Sequence, residues 1–187
     1  IDAKGNVIGG LGGFGGGVVG SGNTKYTIPP YPGDYPDESL PKEKIAKWMA
    51  AAAQSAGLPP EIPVMAALQE SGLQTTLVVG TASDGSDSAG FFQMRFQFHN
   101  RGPYRGYVND PVKQLRWFID TALEVKRTHG DLLRDENDWT RFIAKVEKPA
   151  AEHEDKYQKH LTRARELIGG ASVPSFSNPT EVAISFE

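Results

Sequence analysis

The 187-residue chain contains no cysteine, which excludes disulfide bridges and thiolate metal sites and leaves its redox compartment open. It has no apolar run near the ~20 residues that a bilayer-spanning helix needs, and no basic-then-apolar leader of the signal-peptide kind. It opens at Ile1 rather than Met, which leaves open a processed or excised piece and, with it, a lost export signal. Excess charge of either sign is also lacking. The formal net charge is −3. Residues 1–40 hold four acids against two lysines, and residues 171–187 hold two acids and no base, so the part between stands at +1. No strong field steers that part to nucleic acid, and a polymer ligand would have to be held by shape.

Several chemistry-bearing patterns are missing too. There is no G-x-S-x-G nucleophile elbow, and H-E-D-K-Y at 153–157 is not the H-E-x-x-H of a zinc protease. His153 and His160 are seven residues apart with no third ligand spaced to join them, so no metal site is expected. Gly15, Gly17 and Gly20 satisfy G-x-G-x-x-G, but Pro29 and Pro30 follow where a helix is required, and no acid is placed for a ribose. No cofactor is expected.

Glycine and proline are plentiful but unevenly placed. Nine of the fourteen residues over 9–22 are glycine, and P-P-Y-P-G-D-Y-P follows. So little side-chain area cannot offset the entropy of ordering, so residues 1–40 read as a non-globular arm. Residues 171–187 are polar and proline-interrupted and read as a tail, in which 182–186 has the character of an edge strand. The domain is expected over 41–170.

Within it the periodicity is helical. Ile45, Met49, Ala52 and Ala53 make an apolar stripe over 42–56, with Ser39 as candidate N-cap and Gly57 as the stop. Pro60 opens a second helix with Val64, Ala67 and Leu68 on one face, and Gly72 is placed to close it in a left-handed cap. β-Branched residues over 75–79 predict a short strand. Phe92, Met94, Phe96 and Phe98 alternate with polar residues, which predicts an extended segment with those four on one core-facing side. Residues 101–109 read as a loop holding Tyr104 and Tyr107. Asp110 caps a strong helix over 111–128, with Val112, Leu115, Phe118, Ile119, Ala122 and Val125 turned inward. Asn137 or Asp138 starts a shorter helix with Trp139, Phe142, Ile143 and Val146 inward, ended by Pro149. A last helix over 150–168 uses Tyr157, Leu161, Ala164 and Ile168 and stops at Gly169-Gly170.

Glu70 is the anomaly in this pattern. It stands in the last turn of the second helix, where the dipole leaves about half a negative charge and where Lys, Arg or His is the stable choice. An acid there is expected to have a raised pKa, which is what a general acid at neutral pH requires.

Glu70-Ser71-Gly72 is followed by S-D-G-S-D-S-A and then Gly90-Phe91-Phe92-Gln93. The two motifs in this order resemble the lysozyme-like superfamily of soluble lytic transglycosylases and goose-type lysozymes, nearest to forms in actinobacterial cell-wall and phage-tail proteins. The resemblance covers roughly 41–168 and is strongest over 60–95. It implies a mainly α, lysozyme-like α+β domain over 41–170, with a short extended segment beside the active-site cleft. It implies cleavage of the MurNAc-β-1,4-GlcNAc bond of peptidoglycan by a lytic transglycosylase or a lysozyme, with Glu70 as acid and base. Ser71 and Gln93 correspond to glycan-holding residues. Asp84, six residues before Gly90, stands where goose-type enzymes hold the attacking water, and Asp87 is its competitor in the same loop. Both are also ordinary turn residues. The family's A-Y-N motif, whose Tyr points at the acid, is missing from F-I-A-K-V-E-K-P-A-A-E-H-E-D-K-Y; Glu147 and Tyr157 are the candidates to stand in for it. The expected setting is a virion or the cell wall, with the arms tying the domain to other subunits of a phage tail or cell-wall assembly. The alternative is a catalytically weak structural or glycan-binding module of such an assembly.

Overall fold

Helix packing in this chain converges on the segment that carries Glu70. The computed structural model describes residues 35–36, 41–75, 78–79, 87–149 and 155–169. The Ser39 cap, Asp84, residues 150–154, the tail and all of the arm but residues 35–36 lie outside the described residues. The architecture is mainly helical: α1 (Lys42–Ser55), α2 (Glu61–Ser71), a single turn α3 (Phe96–His99), α4 (Pro111–His129), α5 (Trp139–Glu147) and α6 (Leu161–Ile168). Helix α2 packs against α1, α4, α5 and α6. It is buried around most of its circumference rather than on the single face expected, with Ile62, Val64, Met65, Ala66 and Ala67 all inaccessible. A helix apolar on all sides suits a central position, and each of its larger side chains contributes about 1.5–3 kcal/mol of burial.

The ends of the helices follow the chain's own signals. Gly72 takes φ 63°, ψ 31°, and its N–H donates to Leu68 O at 3.2 Å. Leu73 N–H donates to Ala67 O at 3.1 Å, so two carbonyls that the helix leaves open are satisfied. The Asp110 side chain accepts from Lys113 N at the start of α4, with Pro111 at the first helical position. Gly169, at φ 115°, closes α6. Trp139, Phe142, Ile143 and Val146 are buried on α5, and Leu115, Phe118, Ile119 and Ala122 on α4. The last helix departs from expectation: Asp155 to Tyr157 form a turn, Gln158–His160 a 3-10 turn, and α6 proper starts at Leu161.

A small antiparallel sheet of three two-residue strands lies between α2 and α3: β1 (Val78–Val79), β2 (Ser88–Ala89) and β3 (Met94–Arg95), in the order β1-β2-β3. Val78 faces Ala89, and Ala89 faces Met94. The expected extension through Phe98 is corrected. Phe96 N–H donates to Asp87 O at 3.1 Å, and Asn100 N–H then donates to Phe96 O at 3.0 Å, which coils the chain into α3. The period-two pattern therefore ends at Arg95. Phe92 and Met94 are core residues, whereas Phe96 and Phe98 are 51% and 49% exposed. The Arg95 guanidinium lies 5.1 Å from the Phe98 ring centroid, a cation–π contact that shields part of that ring.

Of the arm, Tyr35 packs on the domain, its ring edge-on to Trp48 at 5.2 Å and to Phe91 at 6.0 Å. No helix of the described residues is long and apolar enough to cross a membrane.

Candidate active site

The site is built where the C-terminal end of α2 meets the chain that leads into α6. Glu70 lies on the last turn of α2, two residues before the left-handed Gly72. The Tyr157 hydroxyl donates to Glu70 Oε1 at 2.9 Å across 87 residues of sequence. Tyr157 is fully buried, so its ring is fixed by packing. One turn away His160 Nε2 lies 3.1 Å from Gln69 Oε1, a second tie between the same two segments. Burial, then the charges of Glu70 and Glu147 and the hydrogen bond itself, push the Tyr157 phenol far above its ordinary range. It therefore remains a donor at every ordinary pH.

A second carboxyl belongs to the same place. Glu147 is the last residue of α5, just before Lys148 in the left-handed region at φ 52°. Its Oε1 is buried and has no hydrogen-bond partner among the described residues. Burial first, and the Glu70 charge second, hold the Glu147 carboxyl well above the usual carboxylate range. Burial of an oxygen without a partner disfavours the charged form of such a carboxyl.

The two sequence motifs are joined through Ser71. Its buried hydroxyl donates to Phe91 O at 2.9 Å, with Ala67 O at 3.1 Å as a second acceptor, and accepts from Gln74 N–H at 3.1 Å. Ser71 thus fixes the G-F-F-Q segment to the end of α2 from inside the protein. That segment is the turn between β2 and β3. Gly90 has φ 82°, and a Cβ there would meet the Gln114 side chain at 2.4 Å, so both conformation and space require glycine. Gln93 adopts φ 44°, unusual for a side-chain-bearing residue, and its Nε2–H donates to Gly90 O at 3.0 Å. Its amide is folded back over the turn.

Glu70, Ser71 and Tyr157 are brought together, and Gln93 joins them through the Ser71–Phe91 link. Asp87 is exposed at the edge of β2, and its charge acts on Tyr107 instead. Burial and Asp87 push the Tyr107 phenol up to about 12, and its hydroxyl donates to Met94 O. Asp84 lies outside the described residues.

Gln114 is a residue that sequence reasoning missed. Fully buried on α4, its Oε1 accepts from Phe91 N–H at 2.9 Å and from Thr75 Oγ1–H at 3.2 Å. Its Nε2 donates to Thr75 O at 3.2 Å and to Tyr107 O at 3.0 Å. The available signal was an amide beside Leu115 and four residues from Phe118 on the helix's apolar side, where an unpaired polar group costs about 1–3 kcal/mol. Among the described residues no group of three or more His, Asp or Glu side chains is arranged to hold a metal ion.

No protein-family model matches the chain, and neither curated proteins nor solved structures give a match.

Proposed function

We propose that this is a lysozyme-like domain that cleaves the MurNAc-β-1,4-GlcNAc bond of peptidoglycan, with Glu70 as general acid and then general base. The observation that carries this reading is the 2.9 Å hydrogen bond from the Tyr157 hydroxyl to Glu70 Oε1. A tyrosine aimed at the acid from late in the chain is what the motif resemblance calls for, and it occurs here without the A-Y-N sequence. The bond fixes one carboxyl oxygen and so the orientation of the carboxyl group. Protonated Glu70 delivers its proton to the glycosidic oxygen as the bond to the anomeric carbon breaks. The resulting carboxylate then takes a proton from the nucleophile, while Tyr157 stabilises its charge.

Two nucleophiles fit. A transglycosylase uses the muramyl 6-hydroxyl, held intramolecularly at high effective concentration, and needs no second carboxylate. A hydrolase uses water held by a base, for which Asp84 is the candidate. The acting partner is peptidoglycan, in a virion-associated or cell-wall setting. Mass spectrometry of digested peptidoglycan decides the reaction: anhydro ends mean transglycosylase and reducing ends mean hydrolase. Asp84→Asn abolishes reducing-end products in the hydrolase and changes little in the transglycosylase, with Asp87→Asn as the control in the same loop. No released fragment from the wild-type chain overturns cleavage and leaves a structural or glycan-binding module.

A further inference from the structure

Resting on that reading, we infer that Gln114 is a positioning residue for the cleavage reaction: it holds the turn that carries Gln93 in register with the helix that carries Glu70. Its side chain is inaccessible, so it acts through that turn and not on the glycan. A glutamine amide has four hydrogen-bonding positions, two accepting and two donating. In Gln114 all four are used, by three separate segments of chain. Oε1 accepts from Phe91 N–H at 2.9 Å and from Thr75 Oγ1–H at 3.2 Å. Nε2 donates to Thr75 O at 3.2 Å and to Tyr107 O at 3.0 Å. Thr75 belongs to the chain leaving α2, just past the Gly72 cap. A carboxyl, an imidazole or a hydroxyl cannot supply two acceptors and two donors at one place.

The turn is held at both ends through this one amide. At its entry, Phe91 N–H is bonded directly. At its exit, the Tyr107 hydroxyl donates to Met94 O, and Tyr107 is itself bonded to Gln114 through its carbonyl. Gln93, at φ 44°, lies between those two points. Phe91 is fixed on its other side as well, because Ser71, the residue after Glu70, donates to Phe91 O at 2.9 Å. The two peptide planes that flank the Phe91 Cα are therefore fixed by α4 and by α2, which sets the direction in which the chain runs on to Gln93. Removing the Gln114 amide frees one plane and leaves the other. The turn keeps its place in the core, since Phe91 and Phe92 are buried and the Phe92 ring stacks on Phe118 of α4 at 4.6 Å. What is lost is register, and a displacement of about 1 Å at a reacting centre can cost ~100-fold in rate.

The test uses the full 187-residue chain. Gln114→Met fills the space and removes all four bonds, and Ile119→Ala, at a buried position of the same helix, is the destabilised control. Activity on peptidoglycan per folded molecule falls at least ~10-fold in Gln114→Met and stays within about twofold of wild type in Ile119→Ala. Gln114→Glu keeps the shape and an oxygen for Phe91 N–H, and recovers most of the loss. Should Gln114→Met not fold, Gln114→Asn, whose amide is one carbon short of Phe91, carries the same expectation. An equal fall in Gln114→Met and Ile119→Ala means a merely structural role and overturns the inference. So does wild-type activity in Gln114→Met, or a Gln114→Glu no better than Gln114→Met. The second measurement, amide exchange and resonance positions by NMR, needs no activity. In Gln114→Met or Gln114→Asn the Phe91 N–H exchanges at least ~10-fold faster than in wild type and the Gln93 amide resonances move, while Ile119→Ala leaves both in place. Unmoved Phe91 and Gln93 amides overturn the inference. Peptidoglycan left intact by the wild-type chain, with the Phe91 and Gln93 changes present in the variants, overturns the cleavage reading alone.

Discussion

Helix α2 carries an acid at each end, and the two are treated in opposite ways. Glu61 opens the helix, where the dipole favours negative charge, and Arg165 of α6 meets its Oε1 at 3.3 Å. Arg165 also pairs with Glu136, so one cation fastens α6 to both the start of α2 and the turn before α5. Glu70 ends the helix, where the dipole disfavours its charge, and a phenol donates to its Oε1. Its charge also acts on a second acid, Glu147. The N-terminal acid is met by a cation and the C-terminal one by a phenol. Nothing in residue type separates them; position along one helix and the choice of partner do.

The sharpest way to break this comparison is Glu70→Gln. The variant keeps the shape and removes the proton, and turnover should fall by at least ~100-fold with folding retained, because an acid leaves a helix C-terminus. Activity within tenfold of wild type ends the assignment of Glu70. Next in size is Tyr157→Phe, which deletes the hydroxyl and keeps the ring. A hydrogen bond to a charged group contributes about 1.5–3 kcal/mol, so kcat should drop roughly 10- to 100-fold with little change in melting temperature. Unchanged kcat would make Tyr157 a packing residue.

The opposite end should respond in the opposite currency. Arg165→Ala leaves Glu61 buried with neither oxygen paired, at a cost of about 1–3 kcal/mol in denaturant unfolding. Activity per folded molecule should stay within twofold of wild type. A large activity loss at constant stability would show that the two ends of α2 are not functionally separate.

Much of this contrast is legible in the sequence. The left-handed Gly72, the Asp110 cap, the Gly169 stop and the inward face of α5 are local signals, each decided within one turn of chain. Glu70 was conspicuous because it broke a local rule. The partnerships were not legible. Tyr157 reaches Glu70, and Arg165 reaches Glu61, across 87 and 104 residues, and neither carries a sequence mark of its partner. Glu147 was visible only as a possible replacement for a missing motif; its half-buried place, with Oε1 inaccessible, is concealed by the alternating charges of α5. The run from Phe92 to Phe98 misled for a related reason. Two-residue alternation describes how side chains would sit in a strand, but the strand's length was set by a backbone bond from Phe96 to Asp87.

Gln114 holds both banks of the stretch that separates the two motifs. Thr75 on one side and Phe91 on the other are bonded to the same amide, so the aperture between them is set by α4 and not by the residues in between. A loop whose mouth is clamped can change its length at a cost that grows only with the logarithm of its size. The stretch from 76 to 88 is thus an insert in a fixed frame: its side chains, Asp84 and Asp87 included, are free to vary while the Glu70 helix and the Gly90–Gln93 turn keep their places.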